Sequence, residues 1–381
     1  MQITIITSPF GSIPPNAIGA VEILWYNIAK SMSVSGHNMC LISRRFNDSD
    51  KSGLNNDGIN VRYIKGYSRK NNIYQDLFYD LLYSFRALMQ VENTDILVLN
   101  TFWAPILCFL IKKKHKISVY NVARFPKGQF KYYRRVDRLS CVSQVVMNAL
   151  LEQTHGAVQQ AKVINNPINT EAFFYSPKEK EPDQTIKLVY TGRVHPEKGL
   201  DILIKAFVLL KNDYPHLQLS IIGSRTIEMG GGGPDYYHYL LSLSGEHKVC
   251  FVDPIFDQKQ LKEELSLHDI FCYPSVAENG ETFGVAPLEA MATGLATIVS
   301  ALDCFEDFVK DGENALVFNH RQANPEIELV GKIKLLINDI DLRKKLGYNG
   351  AVIAKTNFST EKIAREYLKD FEYLLKRKCR D

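Results

Sequence analysis

The chain has 381 residues, which is long enough for two domains of ordinary size and too long for one typical core. Hydrophobic residues make up 45% of it and charged residues 23%, a composition that excludes a disordered or a membrane-embedded chain. Its net charge of +4 is unevenly divided, because residues 1–168 hold 20 Lys and Arg against 10 Asp and Glu, whereas residues 169–381 hold 26 against 32.

Short β-rich runs alternate with helical segments through the first half of the chain. The first run has no basic residue in front of it, so we predict a buried strand rather than a signal peptide. In residues 20–32, Val21, Leu24, Trp25 and Ile28 fall on one face of a helix. The predicted strands of this half are residues 3–7, 38–43, 60–65, 95–100, 117–122, 138–143 and 162–165. This alternation predicts parallel βαβ units and a doubly wound sheet.

A strongly basic segment lies inside this half. Residues 112–138, from Lys112 to Arg138, contain ten basic residues and a single acid, Asp137. Such a surface attracts phosphates, acidic lipids or nucleic acid, and a plain solvated surface is an alternative. No nucleic-acid-binding module is recognisable, so we expect no nucleic acid partner. The basic residues of this segment predict peripheral contact with the inner face of a membrane. A transmembrane span is not expected, since no apolar run reaches the roughly 20 residues that span a bilayer.

The alternation starts again after residues 175–184, a polar stretch with two prolines that is typical of an exposed linker. Strands are predicted at residues 186–190, 217–222, 248–252, 269–273 and 296–301, and a charged amphipathic helix follows residue 358. We therefore predict a Rossmann-like domain at 1–170, a second at 171–358, and a helix at 359–381 that packs back on the first domain. Two such domains are expected to face a central cleft, because open α/β sheets bind ligands at the carboxyl ends of their strands.

The first candidate site is the loop after the strand at 186–190, in the sequence YTGRVHPEKGL (residues 190–200). Gly192 allows a tight turn, which places Arg193 and Lys198 at the carboxyl end of the strand. Arg can bind a phosphate through two hydrogen bonds and Lys adds a compact positive charge, so the two suit a diphosphate leaving group. Taken alone, they are more simply explained as surface cations.

The second candidate site is ETFGVAPLEAMA (residues 281–292), which follows the predicted strand 269–273. Pro287 fits the first turn of a helix. The amides at the start of such a helix can bind phosphate oxygens, and here they belong to Thr282, Phe283, Gly284 and Val285. Glu281 precedes the helix and Glu289 lies inside it, and carboxylates suit sugar and ribose hydroxyls. The helix dipole alone would explain Glu281, but not the glycine, the proline and the second acid together.

Taken in order, TGRVHPEKGLDILIKAF (191–207) and PSVAENGETFGVAPLEAMATG (274–294) resemble the retaining family 4 glycosyltransferases, which have the two-domain GT-B fold. Glu281 and Glu289 match the Glu-x7-Glu motif of that family. Shorter similarities extend over nearly the whole chain, at GAVE (19–22), SGHN (35–38) and VINNPI (163–168).

The resemblance implies roles for single residues. Arg193 and Lys198 would bind the donor diphosphate, Glu289 the ribose, and Glu281 with the following backbone the transferred sugar. The loop at Gly19 would close over the diphosphate from the acceptor-side first domain. Backbone atoms at the strand end formed by Val252 and Asp253 would contact the base.

The implied reaction moves a hexose from a nucleotide-diphosphate sugar to a polysaccharide, a lipid-linked saccharide or a small acceptor. It retains the anomeric configuration and needs no obligatory metal or other cofactor. UDP-glucose is the expected donor only because it is a common one. Stabilisation of the leaving diphosphate is expected to be the main catalytic effect.

Three positions depart from the family pattern. In SVYNVAR (118–124), Asn121 stands where a cleft histidine is usual, and it can hydrogen-bond to a sugar but cannot act as a base. Arg124, in the same stretch, is a further substrate-binding candidate. Asp253 and the pair Asp303-Cys304 stand where glycines are common. These departures bear on which sugar is bound and on the catalytic roles of single residues, more than on the resemblance to the family.

Other functions stay open or are set aside. A catalytically silent sugar-nucleotide-binding protein, an epimerase or a phosphorylase with the same fold are the alternatives. A dinucleotide dehydrogenase is not expected, because the first turn lacks Gly-x-Gly-x-x-Gly. Asp48-Ser49-Asp50 spells a metal-binding Asp-x-Asp, but its polar surroundings predict a turn and no metal. The seven cysteines stand singly, which is typical of reduced core thiols and predicts a cytoplasmic protein.

Overall fold

The computed structural model describes residues 1–11, 13, 19–46, 52–70, 72–154, 160–177 and 185–380. The Asp48-Ser49-Asp50 triplet and most of the polar stretch 175–184 lie outside these residues. The chain divides into two compact units, one formed by Met1–Pro167 with Thr360–Asp381 and the other by Ile168–Ser359. It therefore leaves the first unit once and returns to it with its last helix.

In the described residues, the first unit is built on an eight-stranded sheet with the order β3-β4-β2-β1-β5-β6-β7-β8. Neighbouring strands are parallel except for β3, which is antiparallel to β4. The strands are β1 (Gln2–Ile6), β2 (Asn38–Arg45), β3 (Gly53–Leu54), β4 (Ile59–Lys65), β5 (Thr94–Leu99), β6 (His115–Val122), β7 (Arg138–Cys141) and β8 (Ala161–Val163). The sequence does not predict β3, because two residues are too short to show a periodic pattern.

Helices cover both faces of this sheet. They are α1 (Ala20–Val34), α2 (Ile73–Met89), α3 (Ala104–Leu107) and α4 (Gln144–Thr154). Alternate residues of one strand point to opposite faces, so Ile96 and Val98 of β5 pack in the cluster around α1, whereas Leu97 and Leu99 pack in the cluster around α2. The mainly parallel sheet with a core on each side is the predicted Rossmann-like layout.

The second unit has a parallel sheet, six-stranded in its described residues, with the order β11-β10-β9-β12-β13-β14. The strands are β9 (Lys187–Thr191), β10 (Gln218–Ile222), β11 (Cys250–Val252), β12 (Ile270–Tyr273), β13 (Ala296–Ser300) and β14 (Leu316–Phe318). The helices are α5 (Leu200–Lys211), α6 (Gly233–Ser244), α7 (Gln258–Ser266), α8 (Val285–Thr293), α9 (Pro325–Asn338) and α10 (Ile340–Phe358). The prediction of two α/β domains with parallel sheets is confirmed, although the short strand β14 was not predicted.

The last helix, α11 (Thr360–Lys378), completes the core of the first unit. Ile363, Tyr367 and Phe371 are buried in the cluster that contains Trp25 of α1, whose ring centroid lies 5.0 Å from that of Tyr367. In the part of the chain that the structure describes, none of the helices has both the length and the apolar character required to cross a membrane.

A buried ion pair fixes α11 in this core. The Asp370 carboxylate accepts hydrogen bonds from Nε and Nη2 of Arg138 at 2.8 and 2.9 Å, and Lys162 Nζ donates to it at 3.1 Å. The Asp370 and Arg138 side chains are both buried. Charges in such a place are stable only while each keeps its partners.

Candidate active site

Two neighbouring strands of the second unit mark the expected ligand site. β9 and β12 lie side by side, and the chain continues from β9 toward one edge of the sheet and from β12 toward the other. Such a switch point leaves a crevice at the carboxyl ends of the strands. The loops that follow β9 and β12 carry Lys198 and Glu281, so both predicted residues lie at this point.

Backbone contacts hold these two loops together. A short 3-10 turn ends at Lys198, and within it the Glu197 carbonyl accepts a hydrogen bond from Val276 N at 3.0 Å. The next residue, Gly199, has a φ of 62°, and a Cβ there would lie 2.1 Å from the carbonyl oxygen of Pro274. Only glycine permits both this conformation and this approach. The loop after β9 is thus fixed against the loop after β12.

Lys198 and Glu281 form an ion pair at the centre of the site. Lys198 Nζ lies 2.6 Å from Glu281 Oε2, and the two side chains are only 8% and 12% exposed. The Tyr273 hydroxyl donates to the same oxygen at 3.0 Å, and its ring lies 5.5 Å below the ammonium group. Among the described residues, Glu281 Oε1 has no hydrogen-bond partner. Lys198 has donors to spare and Glu281 an acceptor, both available to a ligand.

Arg193 lies nearer the solvent than Lys198. Its Nη2 donates to Glu197 Oε1 at 2.6 Å and its Nη1 to the Gly230 carbonyl at 3.1 Å. Glu197 Oε1 also lies 4.0 Å from Lys198 Nζ. The two cations are therefore held in place by carboxylates, while the guanidinium keeps further donors for an anion.

The N-terminus of α8 faces the same crevice. Gly284 caps the helix with a φ of 85°, and a Cβ there would lie 2.5 Å from Cε1 of Phe305, so the position requires glycine. No side chain caps the helix within the described residues. The amides of Val285 and Ala286 have no acceptor inside the helix, and the dipole makes this end favourable for an anion.

The two residues between Glu281 and Gly284 differ in what they offer a substrate. Thr282 is half-buried. Phe283 is fully buried, with ring centroids 5.3 Å from Phe308 and 5.8 Å from Phe358. The Phe283 side chain is therefore part of the core, and only its main chain is available to a substrate.

Glu289 lies one turn into α8 and is half-buried. Loss of hydration raises the pKa of its carboxyl from the usual 4.5 to about 8. Its carboxylate forms no hydrogen bond or ion pair with any other described residue. An unpartnered acid in this position can accept hydrogen bonds from a ligand hydroxyl.

We expect Glu289→Gln to weaken the pH dependence of stability. Because the folded state holds this proton more tightly than the unfolded state, ionisation destabilises the wild type as the pH rises from about 5 to above 8. The variant should gain about 1–3 kcal/mol relative to wild type between pH 5 and pH 9, a value reduced from the full shift because the side chain is only half-buried. Thermal melts at five pH values measure this. Parallel curves of stability against pH for the variant and the wild type would contradict this prediction. The matched control is Glu263→Gln, which changes an exposed acid on α7.

The predicted base-contact residues end β11. The Val252 carbonyl accepts a hydrogen bond from Gly223 N at 3.0 Å. The next residue, Asp253, is exposed at the carboxyl edge of the sheet. Arg225, after β10, donates to Asp253 Oδ1 at 2.6 Å, and its guanidinium lies 4.9 Å from the ring centroid of Tyr237. Two charged side chains therefore stand on the side of the site that the resemblance gives to the base.

Gly19 belongs to the first unit and caps α1 with a φ of 138°. A Cβ there would lie 2.4 Å from Glu22 Oε2. The Glu22 side chain is buried, and its Oε1 accepts a hydrogen bond from Ser8 Oγ at 2.5 Å. Close packing against this carboxylate thus requires glycine.

Asn121 and Arg124 lie at and after the carboxyl end of β6. Asn121 is buried, and its Nδ2 donates to Asn100 Oδ1 at 3.0 Å across neighbouring strands. Asn121 Oδ1 is buried without a hydrogen-bond partner among the described residues, which leaves an acceptor unsatisfied. Arg124 is exposed.

The basic segment 112–138 is only partly a surface. Lys112 and Lys113 are exposed, and Lys116 pairs with Asp95 at 2.7 Å. Arg138, at its end, is buried against Asp370, so its inclusion in a charged surface was wrong. The alternation of strand residues places it inward, and an acid from α11 compensates its charge.

Sequence reasoning missed three contributors to the site: Tyr273, Gly199 and Arg225. Tyr273 ends a buried strand, where an aromatic residue is an ordinary core residue. Gly199 follows β9 by eight residues and Arg225 follows β10 by three, and this placement after a strand was the only available signal.

Comparison with known proteins supports one class of enzyme, the glycosyltransferases. Two Rossmann-like units are the layout of glycosyltransferases of the GT-B fold. Residues 172–352 match the family model described as "Glycosyl transferases group 1". The chain is 22% identical to the lipopolysaccharide 1,2-N-acetylglucosaminetransferase of Salmonella typhimurium, over 96% of this chain and 97% of that one.

Solved structures show the same fold. A glycosyltransferase from Rickettsia africae superposes with a TM-score of 0.74 at 19% identity, over 98% of each chain. HepE of Anabaena, solved in complex with UDP-glucose, superposes with a TM-score of 0.72 at 18% identity, over 98% of this chain and 100% of that one. The matched domain, the relative and the fold together support glycosyltransferase activity.

Proposed function

We propose that this chain transfers a hexose from UDP-glucose to a saccharide acceptor with retention of the anomeric configuration. The observation that carries the proposal is the Lys198–Glu281 pair beside the uncapped start of α8, at the switch point of the second sheet. A nucleotide-diphosphate sugar needs a site for an anion next to a site for hydroxyls, and this arrangement offers both. The complex of HepE with UDP-glucose supports the choice of donor.

The leaving diphosphate is stabilised by positive groups already in place. Lys198 and Arg193 retain free N–H donors, and the first amides of α8 point the same way. Charge develops on the diphosphate as the bond to the anomeric carbon breaks, and preorganised donors stabilise it most in that state. These groups supply the role of a cation, so we propose that no metal is obligatory. Transfer that survives EDTA supports this, and loss restored by Mg²⁺ contradicts it.

Two carboxyl groups serve the sugar parts of the donor. Glu281 Oε1 accepts from the transferred hexose, assisted by the backbone at Thr282 and Gly284. Glu289, one turn further, accepts from the ribose hydroxyls. In this proposal Glu281 binds the sugar and is not a nucleophile: Lys198 and Tyr273 hold its Oε2, and its Oε1 is left for a sugar hydroxyl.

The base lies beside Val252 and Asp253 in this proposal, and Arg225→Ala tests it. We expect the variant to lower the affinity for UDP three- to tenfold, because about 1 kcal/mol of contact with an arginine is typical of exposed sites. The affinity for inorganic pyrophosphate, which has no base, should be unchanged. Titration calorimetry with both ligands measures this. An equal loss for pyrophosphate would instead place Arg225 at the phosphates, and Lys205→Ala is the control.

The first unit is proposed to serve the acceptor and the membrane. Gly19, Asn121 and Arg124 are its proposed substrate-binding residues, and the unsatisfied Oδ1 of Asn121 favours a ligand hydroxyl there. The exposed lysines of the basic segment favour peripheral contact with acidic lipids at the inner face of a membrane.

A thermal-shift panel of UDP, GDP, ADP and their common sugar conjugates tests the donor. UDP and UDP-glucose should stabilise the protein by about 2–3 kcal/mol at a hundredfold excess over their Kd. Stabilisation by GDP or ADP alone would overturn the choice of base. Stabilisation without sugar transfer to any acceptor would favour a silent binder, and conversion of the donor alone, followed by NMR, would favour an epimerase.

A further inference from the structure

Helix α2 (IYQDLFYDLLYSFRALM) is apolar on two opposite faces. One face packs inward, where Tyr83, Ala87 and Leu88 are fully buried in the cluster with β1, β2 and β5. A surface helix that covers a sheet needs only this one apolar face, and its other side is normally polar. The second face of α2 therefore requires another explanation.

The second face carries large side chains that point to solvent. Tyr74, Phe78, Phe85 and Met89 are 81%, 56%, 49% and 42% exposed, and we call these four residues the α2 stripe. Their spacing of four, seven and four residues keeps them in one row along the helix. Contacts among the described residues leave each of these side chains at least 42% exposed. Exposed apolar rows of this size mark interaction sites.

Positive charges lie near both ends of the α2 stripe. Arg69 and Lys70 are exposed just before the helix. At the other end, the 3-10 segment Cys108–Lys114 lies beside the last turn of α2, since Cys108 and Ile111 share a core cluster with Leu88 and Lys114 Nζ donates to the Val91 carbonyl at 2.9 Å. Lys112 and Lys113 of that segment are exposed and form no ion pair with any described residue.

The same 3-10 segment adds apolar surface. Phe109 and Leu110, directly before the two free lysines, are about half exposed. Of the acids near α2, Glu92 pairs with Arg62 at 2.6 Å, and Asp76 accepts a hydrogen bond from the backbone N of Lys70 at 3.0 Å. An apolar row flanked by unpaired cations is complementary to the interface of a bilayer that contains acidic lipids.

We propose that the α2 stripe enters the interfacial layer of an anionic lipid bilayer, while Lys112 and Lys113 contact the acidic headgroups. The inference rests on the membrane contact proposed above, and it names the surface that anchors the protein. It also assigns the acceptor to a chemical class, a saccharide carried by a membrane lipid. A soluble acceptor would give the chain no use for this anchor.

The position of α2 in the first unit agrees with an acceptor that is carried by a membrane lipid. The helix follows β4 and precedes β5, so its first residues lie at the carboxyl edge of the sheet. Tyr74 and Phe78 are in these first turns, at the same edge as Asn121 and Arg124. A saccharide held at the bilayer surface would therefore arrive at the edge where the first unit's substrate-binding candidates lie.

Sedimentation of the full chain with vesicles tests the inference. Vesicles of phosphatidylcholine with about 30% phosphatidylglycerol, an acidic lipid that attracts exposed lysines, should bind the protein. Vesicles of pure phosphatidylcholine should bind it at least tenfold less. Phe78→Ser with Phe85→Ser should lower the binding at least tenfold, and Lys112→Glu with Lys113→Glu should remove its preference for anionic vesicles. Ile327→Ser with Leu335→Ser, two exposed apolar residues of α9, is the matched control and should bind as the wild type does.

Each outcome decides the inference. Wild-type protein that stays in solution with both kinds of vesicle overturns it, as does full binding by the Phe78 and Phe85 variant. Dimers in ultracentrifugation that this variant dissociates, without vesicle binding, would assign the α2 stripe to a second copy of the chain instead. Stabilisation of each variant by UDP is recorded in parallel, so failure of the anchor and failure of the donor site are told apart.

Discussion

We expect Lys198→Met to lower kcat/KM for the sugar donor by about a hundred- to a thousandfold, the usual loss when one preorganised contact to a developing charge is removed. Methionine keeps most of the apolar stem that lies over the Tyr273 ring but provides no donor for the diphosphate. The loss should appear in kcat as well as KM, because the contact strengthens as the leaving group gains charge. Steady-state kinetics with a radiolabelled donor measures it.

A second variant separates catalysis from stability. Lys198→Met leaves the Glu281 carboxylate, whose side chain is only 12% exposed, with Tyr273 alone, and an uncompensated buried charge is destabilising. Lys198→Met with Glu281→Gln removes both charges and should recover much of the melting temperature while transfer stays lost. Near-wild-type turnover by either variant would show that Lys198 only supports the fold. Lys205→Ala on the surface of α5 should change neither quantity.

The second large effect concerns stability. We expect Asp370→Ala to destabilise the first unit by about 3–5 kcal/mol, because the buried Arg138 guanidinium would lose the carboxylate that compensates its charge. For a unit of this size that corresponds to a fall of about 10 °C in Tm. Differential scanning calorimetry measures it, and the second unit, which does not contain α11, should keep its own transition.

Two controls show whether the charge itself is responsible. Lys369→Ala changes the neighbouring exposed residue and should leave Tm within about 2 °C, as surface substitutions usually do. Arg138→Met with Asp370→Leu removes both charges and should regain most of the stability lost in Asp370→Ala. If the single variant melted like wild type, the pair would contribute nothing measurable to the attachment of α11.

The candidate site was predicted to the extent that it depends on local order along the chain. Strand, glycine turn and helix follow each other around Arg193 and Lys198, and again around Glu281, so their place at the carboxyl ends of strands could be inferred. The adjacency of the two loops could not, because it depends on β9 and β12 being neighbours in the sheet. The need for glycine at 199 likewise arises from Pro274 in another loop.

Other features are hidden from the sequence for a different reason. Arg138 and Asp370 are 232 residues apart, and nothing in either segment indicates its partner. The periodicity of α2 is masked because apolar residues occupy both of its faces, so the outer row cannot be told from the core row before the sheet is seen. The raised pKa of Glu289 depends on surroundings that only the packed second unit provides.

The return of the chain to its first unit also has a consequence for biosynthesis. While a ribosome is still making the second unit, the inner face of α1 and the guanidinium of Arg138 have no α11 to cover them. The contiguous second unit can finish folding as soon as its own residues emerge. The first unit, although synthesised first, therefore matures last, and its open apolar surface is where a chaperone would bind the nascent chain.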